Sequence, residues 1–174
     1  AVQAAIASEP SAKAIVAVFL KGELGEQGLE HAAAVVATLA SVVDGVEDHV
    51  RAANVGLIRS SRGIRPLVRL LQEGSEGAKR HAAAALTNLS LGGDAESWSV
   101  PMQNDMVRAG ASSVFISWLR DPTLGRPEDA AQALSHIARR NPDAQETIVS
   151  EGAVQALVAM LDDGEARGGP GGGG

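Results

Sequence analysis

The chain has 174 residues, enough for one domain or a short repeat array; 45% of it is hydrophobic and only 2% aromatic. With no Cys it forms no disulfide, Fe–S cluster or thiolate zinc site, and it has no Cys nucleophile. A formal charge of −6 argues against nucleic acid, which needs a basic face, and no apolar run reaches the ~18 residues of a membrane span.

Alanine is the commonest residue, and strand-forming aromatics are scarce, so the chain reads as all-α. It opens on Ala1 with no charged, apolar leader and is expected to be a processed or partial product. Ala12, Ile15, Val16, Val18 and Phe19 then form an apolar quintet at helical spacing. Residues 22–28 are a glycine-bearing separator, and 31–39 (HAAAVVATL) predict a longer alanine-rich helix. The quintet returns 52 positions on as Ile64, Leu67, Val68, Leu70 and Leu71. A separator over 72–77 and a second alanine-rich helix over 81–89 (HAAAALTNL) follow it. Arg59, Arg62, Arg65 and Arg69 are the local basic run; they read as a solvated outer face or, more sharply, as a docking patch for an acidic partner.

Residues 92–99 form a polar insertion that carries Trp98. Ser112, Phe115, Ile116, Trp118 and Leu119 give the third quintet, 48 positions after the second, with Trp118 assigned to the core. A separator over 121–127 and a third long helix over 129–137 (DAAQALSHI) come next. Arg139 and Arg140 suit a helix C-terminus, and Asn141-Pro142-Asp143 is a cap, first-turn proline and first-turn acid in order. Val154, Leu157, Val158, Met160 and Leu161 complete the series after 42 more positions. Residues 168–174 are glycine around Pro170, expected to act as a flexible tail.

Ile6, Ile58, Met106 and Ile148 obey the same shifts, so each unit carries a first helix before its quintet helix and a third helix after it. On this phasing the chain resembles the armadillo-repeat family from about Val2 to Asp162. Its most family-like segments are GIRPLVRLL (63–71) with HAAAALTNLS (81–90), and EGAVQALVAML (151–161). The resemblance implies a right-handed α-solenoid of about three and two-thirds three-helix repeats. Unit 1 spans 1–45 with a truncated first helix, and unit 2 spans 46–91. Unit 3 spans 92–140 with the insertion at 92–99, an incomplete unit 4 spans 141–163, and the tail is 164–174. Ala32, Ala33, Ala82, Ala83, Ala130 and Ala131 are expected where third helices pack closely on one another. Neither end carries a polar cap, which predicts association through residues 154–161.

The resemblance also implies that third helices line a concave binding face. In peptide-binding members a Trp and an Asn four residues apart line that groove, the Asn amide bracketing one peptide unit of an extended ligand. Here the Asn place holds Thr38, Asn88 and His136, and the Trp place holds Ala34, Ala84 and Gln132. Asn88 alone matches, either as a backbone clamp or as a solvated side chain on an open helix face. With His81, these residues make up the expected partner-binding row. Its small side chains predict a shallow groove suited to main-chain contacts and small apolar groups rather than long basic ones. Trp98 is expected either to cover the seam between units or to project as a partner anchor.

His31 and His81 hold equivalent places ~8–10 Å apart, with Asp129 next in line. They read as a polar groove edge, not a metal site, because no third ligand recurs. Ser135 and His136 are helix neighbours that point apart, so they make no nucleophile–base pair. No GxxxxGK[ST] loop occurs, and no cofactor is expected. The reading is a non-enzymatic interaction scaffold within a larger complex. It is expected to bind a protein or extended peptide, neither nucleic acid nor membrane, in the cytoplasm, with a nuclear or organelle interior left open. Three alternatives remain at this point. One is a structural subunit of a cytoskeletal or membrane-associated assembly, held by its ends and convex face. The others are the substrate-recruiting region of a ubiquitin ligase and a karyopherin-α-like adaptor.

Overall fold

The computed structural model describes residues 24–41, 48–91 and 99–167, which fold into nine helices and no strand. These are α1 (Glu26–Ala40), α2 (Asp48–Ser60), α3 (Ile64–Glu73), α4 (Glu76–Ser90) and α5 (Val100–Arg108). They are followed by α6 (Ala111–Arg120), α7 (Pro127–Ala138), α8 (Pro142–Ser150) and α9 (Ala153–Arg167). Helices α2–α4 and α5–α7 are two successive three-helix units. Helix α1 is the third helix of the unit before them, and α8 and α9 are the first two of the next. None of these helices is long and apolar enough to cross a membrane.

The quintets explain the layering. Ile64, Leu67, Val68, Leu70 and Leu71 are all buried, as are Ser112, Phe115, Ile116, Trp118 and Leu119. Each fully buried aliphatic side chain contributes about 1.5–3 kcal/mol relative to an exposed one. Trp118 stands edge-on to Phe115 with ring centroids 5.5 Å apart, as expected of a core residue. The first-helix markers Ile58, Met106 and Ile148 are buried behind them. In α9 the same stripe stays open: Val154, Val158 and Leu161 are 49%, 52% and 65% exposed, because no third helix among the described residues packs over it. The quintet at residues 12–19 and its marker Ile6 lie outside the described residues.

Third helices stack directly, α1 on α4 and α4 on α7. Ala32, Ala33, Ala82, Ala83 and Ala130 are buried at these contacts, and Ala131 is half-buried beside them. Gly77 serves the same approach: a Cβ there would run into the Glu30 carboxylate, which instead accepts a hydrogen bond from Ser75 Oγ at 2.8 Å. Polar ties join the layers. Gln103, fully buried, donates to the carbonyls of His136 (2.9 Å) and Arg139 (3.2 Å) at the C-terminal end of α7. Asn54 Nδ2 donates to the Leu39 carbonyl at the end of α1.

Local chemistry sets the helix ends. Ser75, Ser99 and Asn141 cap α4, α5 and α8 by accepting from the backbone N–H groups of Ala78, Met102 and Ala144. Pro142 follows Asn141 in the first turn, as the sequence predicts. The separators are shorter than the sequence suggests. Helix α1 already includes Glu26 to Gly28, α3 runs on through Gln72 and Glu73, and α4 takes in Glu76 and Gly77. A first-turn glycine costs little there, since the N–H groups of that turn have no intrahelical partner in any case. Helix α9 likewise continues to Arg167, beyond the boundary expected at 163–164. Glu165, Ala166 and Arg167 are strong helix formers, and a single Gly164 costs only about 1 kcal/mol. In the α6–α7 loop the Thr123 hydroxyl, and then its N–H, hold the Asp121 carboxyl below its usual range.

One turn recurs between first and second helices. Its left-handed residue is Gly110 (φ 85°) before α6 and Gly152 (φ 89°) before α9. In the same register before α3 stands Arg62, at φ 59°. A side chain there costs about 1–2 kcal/mol relative to glycine.

Candidate functional site

The face formed by the third helices carries the candidate site, because α4 and α7 pack side by side and leave a cleft of about 270 Å³ between them. Ala84, Thr87 and Asn88 line it from α4, and Asp129 and Gln132 from α7. Arg80 and Arg126 stand at its edge. Three of the expected row are thus brought together: Ala84, Asn88 and Gln132. Ala84 and Gln132 are exposed, Asn88 half-buried.

Asn88 is neither wholly available nor merely solvated. Its Nδ2 donates to the Ala37 carbonyl at 3.0 Å, reaching from α4 to α1. That bond fixes the amide plane and leaves the second N–H and the carbonyl oxygen for a ligand. The expectation of a solvated side chain on an open face is corrected by this contact. An asparagine one helix-packing distance from a neighbouring helix terminus finds an unpaired carbonyl there.

The other row members lie outside this cleft. Thr38 is exposed, and its hydroxyl donates back to the Ala34 carbonyl at 3.0 Å within α1. Ala34 and His81 are half-buried. His136 is half-buried in the last turn of α7, where burial, and then the nearby Arg139 charge, hold its pKa below the usual imidazole value. Trp98 lies outside the described residues. Among the described residues no three His, Asp or Glu side chains gather to hold a metal ion.

Charge at the cleft comes from residues the expected row does not include. Arg126 stands at the N-terminal boundary of α7, where its side chain makes no capping bond, and reaches Glu128 and Asp129, each at 3.9 Å. Asp129 keeps only 27% of its side-chain area exposed. Arg80, one turn before Ala84, projects on the same side as Ala84 and Asn88, a signal present in the i, i+4 spacing. Arg126 had no such signal, since its place depends on the length of the loop before α7.

Residues 51–91, covering nearly all of α2 and the whole of α3 and α4, match the family model described as Armadillo/beta-catenin-like repeat. No curated protein matches the chain in sequence. Among solved structures it is similar to a designed armadillo repeat protein in complex with the peptide (KR)4, at 21% identity and a TM-score of 0.74. That match covers 92% of this chain and 60% of the designed one. A second similar structure is an engineered protein at 26% identity and a TM-score of 0.68, covering 86% of this chain and 54% of the other. The chain therefore spans between half and two thirds of the length of these two solved relatives. Three-helix units stacked through their third helices, one of them matched as an armadillo repeat, give this chain the α-solenoid fold of armadillo-repeat proteins.

Proposed function

We propose that the chain is a non-enzymatic protein-interaction scaffold that binds an extended segment of a partner along the face of its third helices. The observation that carries this is the α4–α7 cleft. It sets an oriented Asn88 amide beside the exposed Gln132 amide and the bare helix surface at Ala84. Two amides with donors and acceptors free can each pair with one peptide unit, fixing the register of an extended chain without reading its side chains. The designed relative binds a peptide of alternating Lys and Arg. This cleft is edged by Arg80 and Arg126 as well as Asp129, and alanine stands where a long stem would pack. It therefore suits a segment of small neutral side chains with an acidic residue at its edge.

Selection of peptides on the purified chain from a random extended-peptide library tests the proposal. Binders are expected to lose at least about tenfold in affinity on Gln132→Ala, and to be excluded by Ala84→Trp, which fills the cleft. One lost bond to a desolvated amide accounts for about that factor. Binders that tolerate both changes would refute the assignment.

A further inference from the structure

A second cleft, sharing no residue with the first, lies where α2 and α3 meet α5. It encloses about 380 Å³, within the range of ligand sites (about 300–1,000 Å³). Four arginines line it, Arg59, Arg62, Arg65 and Arg108, with Asp105 as the one carboxylate and Ile64 in its floor. This concentration of positive charge occurs on a chain whose formal charge is −6.

Asp105 does not neutralise the cluster; it arranges it. Its Oδ2 accepts from Arg59 Nε at 2.7 Å, and its Oδ1 from Arg108 Nη1 at 3.4 Å. Binding Arg59 through Nε leaves both terminal amino groups of that guanidinium for another acceptor. Arg62 and Arg65 have no acidic partner among the described residues, and both are exposed. Each could take a carboxylate through its planar fork.

The backbone supplies an independent observation. Arg62 sits at φ 59° in the turn whose register is glycine before α6 and before α9. Among the described residues Arg140 is the other non-glycine residue at positive φ, but it lies in the α7–α8 turn, for which no equivalent is described. At Arg62 the repeat itself offers the unstrained choice, and the chain holds an arginine instead, aimed into the cleft. Strain retained against an available remedy marks a position that serves binding.

We propose that this arginine cleft docks an acidic protein segment, two or more closely spaced Asp or Glu side chains entering from solvent. Carboxylates fit better than phosphates or a polyanionic backbone. Asp105 within the cleft repels a doubly charged phosphate more than a single carboxylate. Flat guanidinium forks pair with flat carboxylates edge to edge. The chain's net charge of −6 also opposes a long polyanion more than a short acidic segment.

Fluorescence anisotropy with a labelled eight-residue Asp/Glu peptide tests this, with its Asn/Gln counterpart, an unlabelled phosphoserine peptide, a single-stranded RNA and anionic vesicles as comparators. The acidic peptide is expected to bind, the amide peptide at least about tenfold more weakly, with affinity falling as NaCl rises from about 50 to about 500 mM. Arg65→Gln and Arg62→Gly should each weaken binding about tenfold or more, while Arg69→Gln, outside the cleft lining, changes it less than about twofold. Arg62→Gly should at the same time raise the thermal midpoint, which separates lost binding from lost folding. Equal binding of the amide peptide, tighter binding of phosphopeptide, RNA or vesicles, an equal effect of Arg69→Gln, or no binding at all would overturn the proposal.

Discussion

Two glycine-to-alanine changes should move stability in opposite directions, and the structure says why. Gly125 is buried in the α6–α7 loop against the face of Trp118. A Cβ there would lie 2.5 Å from Trp118 Cε3, with Cδ2 and Cε2 nearer still. Carbon atoms rest about 3.5–4.0 Å apart, so the indole or the loop must retreat by at least about 1 Å. The indole has no room: Trp118 is 2% exposed and packed edge-on to Phe115. The loop is held as well, by Lys79 Nζ donating to the Leu124 carbonyl at 2.8 Å and by Leu124 N–H donating to the Asp121 carbonyl at 3.1 Å. Overpacking of this kind costs about 1–3 kcal/mol, and both escapes being tied puts Gly125→Ala near ~3 kcal/mol. In a chain of this size that lowers the midpoint by roughly 6–12 °C. Gly56, by contrast, is exposed within α2, and a Cβ there meets nothing within 4 Å. Gly56→Ala removes only backbone entropy from the unfolded chain and should stabilise by about 0.5–1 kcal/mol. Thermal and urea unfolding followed by far-UV circular dichroism reads both, and near-UV ellipticity at Trp118 reports whether the packing has shifted. A Gly125→Ala variant within about 0.5 kcal/mol of wild type, or a destabilised Gly56→Ala, would refute the packing argument.

Three further outcomes follow from single contacts. Ser112 occupies the quintet place of Ile64 and Val154, is fully buried, and its hydroxyl has no hydrogen-bond partner among the described residues. Ser112→Ala should therefore stabilise by about 1 kcal/mol in urea melts, the lower end of the cost of an unsatisfied buried group. Asn88→Ala removes the bond to the Ala37 carbonyl and should destabilise by about 1 kcal/mol, with hydrogen exchange at the end of α1 rising most. His136, its pKa held below 6.5 by burial and Arg139, makes the unfolded chain the better proton binder. Its contribution is present in full above pH 6.5 and is lost as pH falls below that value toward the folded pKa. Urea midpoints of His136→Gln should accordingly decline less than wild type between pH 7 and pH 5; parallel declines would exclude the effect.

The fold was legible because it depends on period more than on any one residue. Four quintets in the same phase, each with a first-helix marker, define layers whatever the identity of a given side chain. That is why Ser112 could take an apolar place without hiding the pattern. Helix ends were less legible. The glycines at 28 and 77 look like punctuation in sequence, yet both lie inside helices. Ser75 and its neighbours decide where α4 begins, and close packing of α1 on α4 decides that Gly77 is needed. A glycine that ends a helix and one that lets another helix approach carry the same letter.

The two clefts show how far sequence reading reaches toward a site. Ala84 and Asn88 were found because they share a helix face, and Gln132 because its unit repeats that face. Arg126 and Asp105 were not, since neither lies on the face that repeats: one depends on loop length, the other on which first helix packs against which turn. The basic run from Arg59 to Arg69 was visible, but a run on one element reads as a solvated surface until a second element closes on it. Helix α5 does so here with Asp105 and Arg108, turning a charged face into a cleft that three of the run's four arginines line, with Arg59 bound to Asp105. Arg69, one turn beyond, stays outside. In a stacked array, period fixes what is buried within a unit, while binding surfaces form where units meet, from residues that the period leaves free to vary.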